Sequence, residues 1–329
     1  MNNSKVSILM SAFNSENFIS KSIESVINQS YSNYEMIIVD DGSNDSTKEI
    51  IKMYSHNNSK IKLFSKSNSG ITESLNYGLS FCQGEWIARL DSDDLCHVER
   101  LKKQINLAES SKKIGLVGSD AIFINKLDQN LFYFSYPTTH NDLKNNLLSC
   151  SKFFPHSSAF YNRKLIESLG GYRKRAGMSE DWDLWLRIAD KKEMKNINQP
   201  LVKIRIHDDQ VSNKNHLQHA YDTRTEIIAN ILNKRKKYDP IEIFTDIEFC
   251  KFKLYISQNL EEFGFKEFIN FKSIYKNPLI KIFALPFIFL KYLIRPFYLY
   301  SFTRLNFFPK SININVAENF HKNYINNEM

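Results

Sequence analysis

The chain has 329 residues, 42% of them apolar and 24% charged, with a formal net charge of +8. Those totals suit one large α/β domain with an appendage, or two domains, and exclude a disordered chain. Four cysteines, Cys82, Cys96, Cys150 and Cys250, lie far apart with no C-x-x-C pair, which speaks against a zinc site or disulfide framework and fits a reducing cytosol.

Met1 to Lys5 carries no apolar signal core, and a cytoplasmic location is expected. Val6 to Met10 reads as a buried strand, followed by a turn at Ser11-Ala12-Phe13-Asn14 and a helix with Ile19, Ile23, Val26 and Ile27 on one stripe. Tyr34 to Val39 is a second strand that runs into Asp40-Asp41-Gly42. Ser46 and Thr47 are candidate caps for a helix holding Ile50, Ile51 and Tyr54. Ile61 to Phe64 is a third strand, then Asn68-Ser69-Gly70 and a helix with Ile71, Leu75 and Leu79. Trp86 to Leu90 is a fourth. Four alternations with short connections predict a mostly parallel sheet with helices on both faces.

Each of these strands ends in polar residues at the same edge: Asn14 and Glu16, Asp40 and Asp41, Asn68 and Gly70, Asp91 and Asp93. Ligands bind at that edge of an open α/β sheet. Clustered carboxylates repel one another unless a cation sits among them. Asp91-Ser92-Asp93 therefore suits a hard divalent ion that completes its shell with water and substrate phosphates. A solvated acidic loop is the alternative for that short motif alone. Neither G-x-G-x-x-G nor G-x-x-x-x-G-K-[ST] is present, so any phosphate charge would have to be met by metal.

Beyond Asp94 the pattern gives a helix with Leu101, Ile105 and Ala108, then two strand-like runs, Gly115 to Ser119 and Ala121 to Ile124. The stretch from Tyr136 to Cys150 is polar and reads as a helix with loops. His156 lies beside a strand, Gly170-Gly171-Tyr172 is a turn, and a helix starts after Ser179 with Glu180, Asp181 and Asp183 in its first turn. Those acids complement the helix dipole, with Leu184, Trp185 and Ile188 toward the core. Leu201 to Ile206 is a last strand, ending at His207 beside Asp208 and Asp209.

The segments Ser11-Ala12-Phe13-Asn14, Val39 to Asp45, Asn68-Ser69-Gly70, Leu90 to Asp94 and Ser179 to Arg187 resemble, in order and spacing, the family 2 glycosyltransferases of GT-A fold. The likeness covers about residues 4 to 210. It implies a Rossmann-like α/β catalytic domain over 1–212, with a nucleotide-sugar half in 1–95 and an acceptor half in 96–212. It implies an inverting transferase that uses a UDP-sugar with Mn2+ or Mg2+. By resemblance, Asp40 is the uracil-binding acid, Ala12, Asn14, Asp41 and Gly70 shape the same pocket, and Asp91 holds ribose or metal. Asp93 binds the metal directly, with His207 near metal and diphosphate. Asp181, with Glu180 beside it, is the catalytic base, and His156, Trp182 and Asp183 are acceptor-side candidates. The Gln/Arg-x-x-Arg-Trp motif of processive members is missing, which favours addition of a single sugar.

Residues 213–329 form the remainder, read as a helical C-terminal extension. From Phe271 onward eight basic residues stand against two acidic ones, +6 of the total +8. Ile282 to Leu290 is too short for the roughly 20 residues of a spanning helix. Aromatic and apolar residues among Lys281, Lys291, Arg295 and Arg304 describe a segment lying on an anionic membrane surface; the alternative is a cap packed on the catalytic domain. Nucleic acid is not an expected partner, since no motif for it is present. The expectation is a peripheral enzyme on the cytoplasmic face, moving a hexose from UDP-Glc or UDP-Gal to a lipid-linked saccharide of O-antigen or capsule type. A GlcNAc-diphosphoundecaprenol acceptor and a β-1,3 linkage come from resemblance alone. The rivals are a phosphohydrolase with Asp91 as nucleophile, whose partner motifs are not found, and a silent sugar-nucleotide-binding module.

Overall fold

The computed structural model describes residues 4–148, 151–207 and 222–223. All but a few belong to one compact unit, Met1–Asn145 with Phe153–His216; the other unit comprises Asn146–Lys152 and Leu217–Met329. The helical extension expected over 213–329, with its segment assigned to a membrane surface, lies outside the described residues but for 222–223. Among the described residues no helix is long and apolar enough to cross a membrane.

The first half alternates strictly: β1 (Val6–Ala12), α1 (Ile19–Ile27), β2 (Tyr34–Asp40), α2 (Thr47–Asn57), β3 (Ile61–Ser65), α3 (Ile71–Leu79) and β4 (Trp86–Arg89). The second half is irregular: β5 (Leu95–Cys96), α4 (Arg100–Ala108), β6 (Ile114–Ile124), β7 (Asn130–Phe134), α5 (His140–Leu148), β8 (Phe160–Asn162), α6 (Arg163–Ser168), α7 (Glu180–Ala189) and β9 (Glu193–Arg205). Two 3₁₀ turns, His156–Ser158 and Lys174–Ala176, precede β8 and α7. One sheet runs β3-β2-β1-β4-β8-β6-β9-β5, with β7 on β6. Strands β3 to β4 pair in parallel, β8 is antiparallel to both β4 and β6, and β6 and β9 are parallel.

The apolar runs of β1 and β2 are buried on both faces, the pattern of parallel strands covered by helices. Helix α1 buries Ile19, Ile23 and Val26, whereas Ile27 turns outward. On α3 the expected Ile71-Leu75-Leu79 stripe is replaced by Thr72, Ser74, Leu75 and Gly78. Gly78 accompanies the rotation: a Cβ there would lie 2.5 Å from Leu9 Cδ1 and 3.0 Å from Val39 Cγ2, so a larger residue would have to push these buried side chains aside.

Three other departures have physical causes. The two strand-like runs after Gly115 are one strand, because Asp120 between them is buried and satisfied by the Tyr136 N–H (3.0 Å), the Asn196 amide (2.8 Å) and the Tyr133 hydroxyl. Strand β9 starts well before Leu201 and passes Pro200, which has no N–H to donate; the register against β6 shifts there. The side chains of Ser46 and Ser179 make no cap bond, and Asp45 Oδ1 instead accepts from Thr47 N at 3.0 Å. Strand β7 and helix α6 carry too little periodicity to be read from sequence.

Candidate active site at the carboxyl edge of the sheet

Strands β1, β2 and β3 end side by side, with Ala12 opposite Asp40 and Asp40 opposite Ser65. Asp41 N donates to the Ala12 carbonyl at 2.9 Å, and Asp40 Oδ1 accepts from Ser43 N at 3.2 Å. Asn14 sits in the left-handed region (φ 49); its side chain accepts from Asn44 N at 2.9 Å. Glu16 accepts from Ser46 N, also at 2.9 Å. The loops after β1 and β2 are thus stitched together. Asp41 is buried and accepts from Ser69 N (3.0 Å), Gly70 N (2.9 Å) and Lys66 Nζ, so it anchors the loop that starts α3. Gly70 opens that helix at φ 95, a conformation few other residues adopt.

The end of β4 is organised by Arg89, whose side chain is fully buried. Its guanidinium pairs with Asp91 and donates to the Leu90 carbonyl. Ser157 closes a ring with Asp91: its Oγ donates to Asp91 Oδ2 at 2.6 Å and accepts from Asp91 N at 2.9 Å. Burial opposes ionisation of Asp91, yet Arg89, His156 and the Ser157 hydrogen bond together outweigh it and hold the carboxyl below its ordinary range. Asp94 goes the other way: burial, then the charges of Asp93 and Asp91, push it well above that range.

Asp93 faces the far end of β9. Its Oδ2 lies 2.8 Å from His207 Nε2, and its carbonyl accepts from Arg205 Nε at 2.8 Å. Arg205, fully buried, also gives its backbone N–H to Asp94 and pairs with Asp128. Among the described residues no group of three or more His, Cys, Asp or Glu is arranged to hold a metal. The donor set of one carboxylate and one imidazole, with Asp91 committed to Arg89 and Ser157, fits a cation completed by substrate oxygens and water rather than an all-protein cage.

Helix α7 brings Glu180 and Asp181 to the same neighbourhood. Asp181 Oδ1 accepts from Trp182 N at 2.6 Å, and its charge acts on both Glu180 and His156. Glu180 is buried, and burial, then Asp181, raise its carboxyl to about 8. His156 contacts Tyr172 (Nε2 to hydroxyl, 2.8 Å), which meets the Tyr161 hydroxyl at 2.9 Å. Burial, then Arg89, lower His156 to about 4, so the ring is neutral at pH 7. Arg89 is bonded to Asp91, and its charge also acts on His156 and, more weakly, on Glu180. Trp182 lies 6.1 Å from Phe153, ring to ring. Asp183 is committed to Arg187 (3.0 and 2.5 Å) and Arg173 (3.5 Å).

Sequence reading passed over Arg89, Ser157, Tyr172 and Arg205. An arginine inside an apolar strand next to Leu-Asp carries a usable signal, since a fully buried guanidinium requires a partner. The others have no local signature.

Residues 7–170 match the family described as Glycosyl transferase family 2. Over 208 residues the chain is 34% identical to the putative glycosyltransferase EpsE of Bacillus subtilis, covering 61% of this chain and 73% of that protein. It is 30% identical over 207 residues to the O-antigen biosynthesis glycosyltransferase WbnJ of Escherichia coli, covering 61% and 80%. Its fold is similar to S. aureus TarS 1-349, solved in complex with UDP-GlcNAc (TM-score 0.57, 18% identity, 70% of this chain and 67% of that one). It is similar also to the mannosyltransferase PcManGT of Pyrobaculum calidifontis in complex with GDP-Man and Mn2+ (TM-score 0.57, 15% identity, 93% and 86%).

Proposed function

The chain belongs to glycosyl transferase family 2, and from that premise we propose that it moves a hexose from a UDP-sugar, with inversion, to a lipid-linked saccharide. The observation that carries the reading is at Arg89: it is bonded to Asp91 at the end of β4, and its charge reaches Glu180 at the start of α7, next to Asp181. Inversion needs acids on opposite sides of the sugar, one set with the leaving diphosphate and one with the incoming hydroxyl. Elements distant in sequence supply both sets.

In this reading Asp40 and the loops at Asn14 and Gly70 bind the nucleotide. Asp181 accepts the proton of the acceptor hydroxyl as its oxygen attacks the anomeric carbon and the bond to UDP breaks. Such base catalysis contributes roughly two to four powers of ten in rate. Glu180 is protonated at neutral pH. Asp93 and His207 would hold Mn2+ or Mg2+, which supplies Lewis-acid stabilisation of the departing diphosphate. His156 and Trp182 border the acceptor side, and Asp183 braces the helix between them.

The O-antigen name of the WbnJ relative supports a surface-polysaccharide acceptor, and an acceptor of that kind accounts for a basic, aromatic tail on an anionic membrane. The test is incubation of the purified chain with a panel of UDP-sugars, Mn2+ or Mg2+ and GlcNAc-diphospho-lipid acceptors, read by product mass. Transfer from one UDP-hexose supports the proposal; no transfer from any nucleotide sugar, with or without metal, defeats it.

A further inference from the structure

The turn at Leu169–Tyr172 is gripped from two sides. Arg187 on α7 donates to the Leu169 carbonyl at 2.7 Å and to the Gly171 carbonyl at 2.8 Å. From the opposite side a single side chain on α3, Asn76, takes both backbone groups of Tyr172. Its amide nitrogen donates to the Tyr172 carbonyl at 2.7 Å, and its oxygen accepts from Tyr172 N at 2.9 Å. Gly171 is left-handed (φ 71), and a Cβ there would lie 2.6 Å from Asn76 Oδ1, so the fit admits only glycine. One turn further up α3, Glu73 pairs with Lys174.

These contacts link the two sets of site residues. Helix α3 begins at Gly70, whose N–H is held by Asp41. Tyr172, fixed through its backbone, directs its hydroxyl to His156, and the next residue, Ser157, closes the ring on Asp91. Through Arg187 the same turn bears on the helix that starts with Glu180 and Asp181.

We propose that Asn76 is a positioning residue for the transfer step, a two-bond clasp that sets the acid end of α7 and the His156–Ser157 turn against the donor-side helix. The inference rests on the proposed transferase reading. Both side-chain bonds of Asn76 go to the Tyr172 backbone, so its loss leaves the nucleotide loops in place while displacing the base. A displacement of about 1 Å costs on the order of a hundredfold in rate.

The experiment compares wild type with Asn76→Ala, measuring kcat for sugar transfer and, separately, UDP-sugar affinity by calorimetry. The expected result is a kcat lowered at least tenfold with a donor Kd within about twofold of wild type. Gly171→Ala strikes the same contact from the other side and also strains the left-handed backbone, so it is expected to lower kcat at least as far as Asn76→Ala, again with donor affinity kept. Asn76→Ser carries the same reading if the alanine variant does not fold. A kcat within twofold of wild type in Asn76→Ala, or equal losses in kcat and affinity, would overturn the inference. A wild-type protein inactive on every nucleotide sugar would instead remove the transferase reading beneath it.

Discussion

The loops after β1 to β3 and the junction of β4 with α7 are both rich in carboxylates, yet the two regions use them differently. Asp41 and Asp45 have their oxygens filled by backbone N–H groups, and Asp41 by Lys66 as well. They hold loops in shape. Around Arg89 the acids outnumber the cation: Asp91 takes the guanidinium, and Glu180 keeps its proton to about pH 8. Asp41 and Asp45 are satisfied by the protein, whereas Glu180 is left without enough opposing charge to ionise at neutral pH.

Removing the Arg89 cation tests this contrast most severely. Arg89→Met leaves Asp91, whose side chain is 33% exposed, without a counter-charge and costs about 3 kcal/mol, the lower end of the usual loss for a buried pair because water reaches the carboxylate. Urea unfolding measures it. An unchanged midpoint would mean that Arg89 is not what Asp91 depends on.

Glu180→Gln probes the under-compensated side. Between about pH 4.5 and about 8 the folded chain keeps the Glu180 proton while the unfolded chain has lost it, so stability falls as pH rises through that window. The glutamine variant, with nothing to titrate there, should lose that slope and be more stable than wild type at pH 8, by on the order of a few kcal/mol. Parallel stability–pH curves for the two proteins would place Glu180 in water.

The smallest effect is expected on the satisfied side. Asp41→Asn keeps the shape but weakens the bonds from Lys66 and Gly70, costing about 1–3 kcal/mol. Nucleotide affinity should fall less than in Asp40→Asn, as measured by UDP titration. The reverse order would make Asp41 the principal nucleotide acid.

Much of the first half was legible because parallel strands buried on both faces leave continuous apolar runs, as in Ile8 to Met10 and Met36 to Val39, each ending in polar residues. The second half was harder. A buried acid, Asp120, broke one strand into two apparent pieces, and α3, with glycine at 78, is rotated away from its apolar stripe. The acids at Asp91, Asp93, Glu180 and Asp181 could be picked out by position and by family likeness. The groups that hold them could not, because Arg89 meets Ser157 only through Asp91 and Asn76 meets Tyr172 across 96 positions. Such pairings leave no mark in any local window.

The proposed separation of donor-binding acids from a base at Asp181 is tested most directly with Asp181→Asn. UDP-sugar affinity should stay within about twofold while kcat falls by roughly two to four powers of ten, since only the proton acceptor is lost. Turnover near the wild-type rate, or loss of donor binding along with it, would contradict the account.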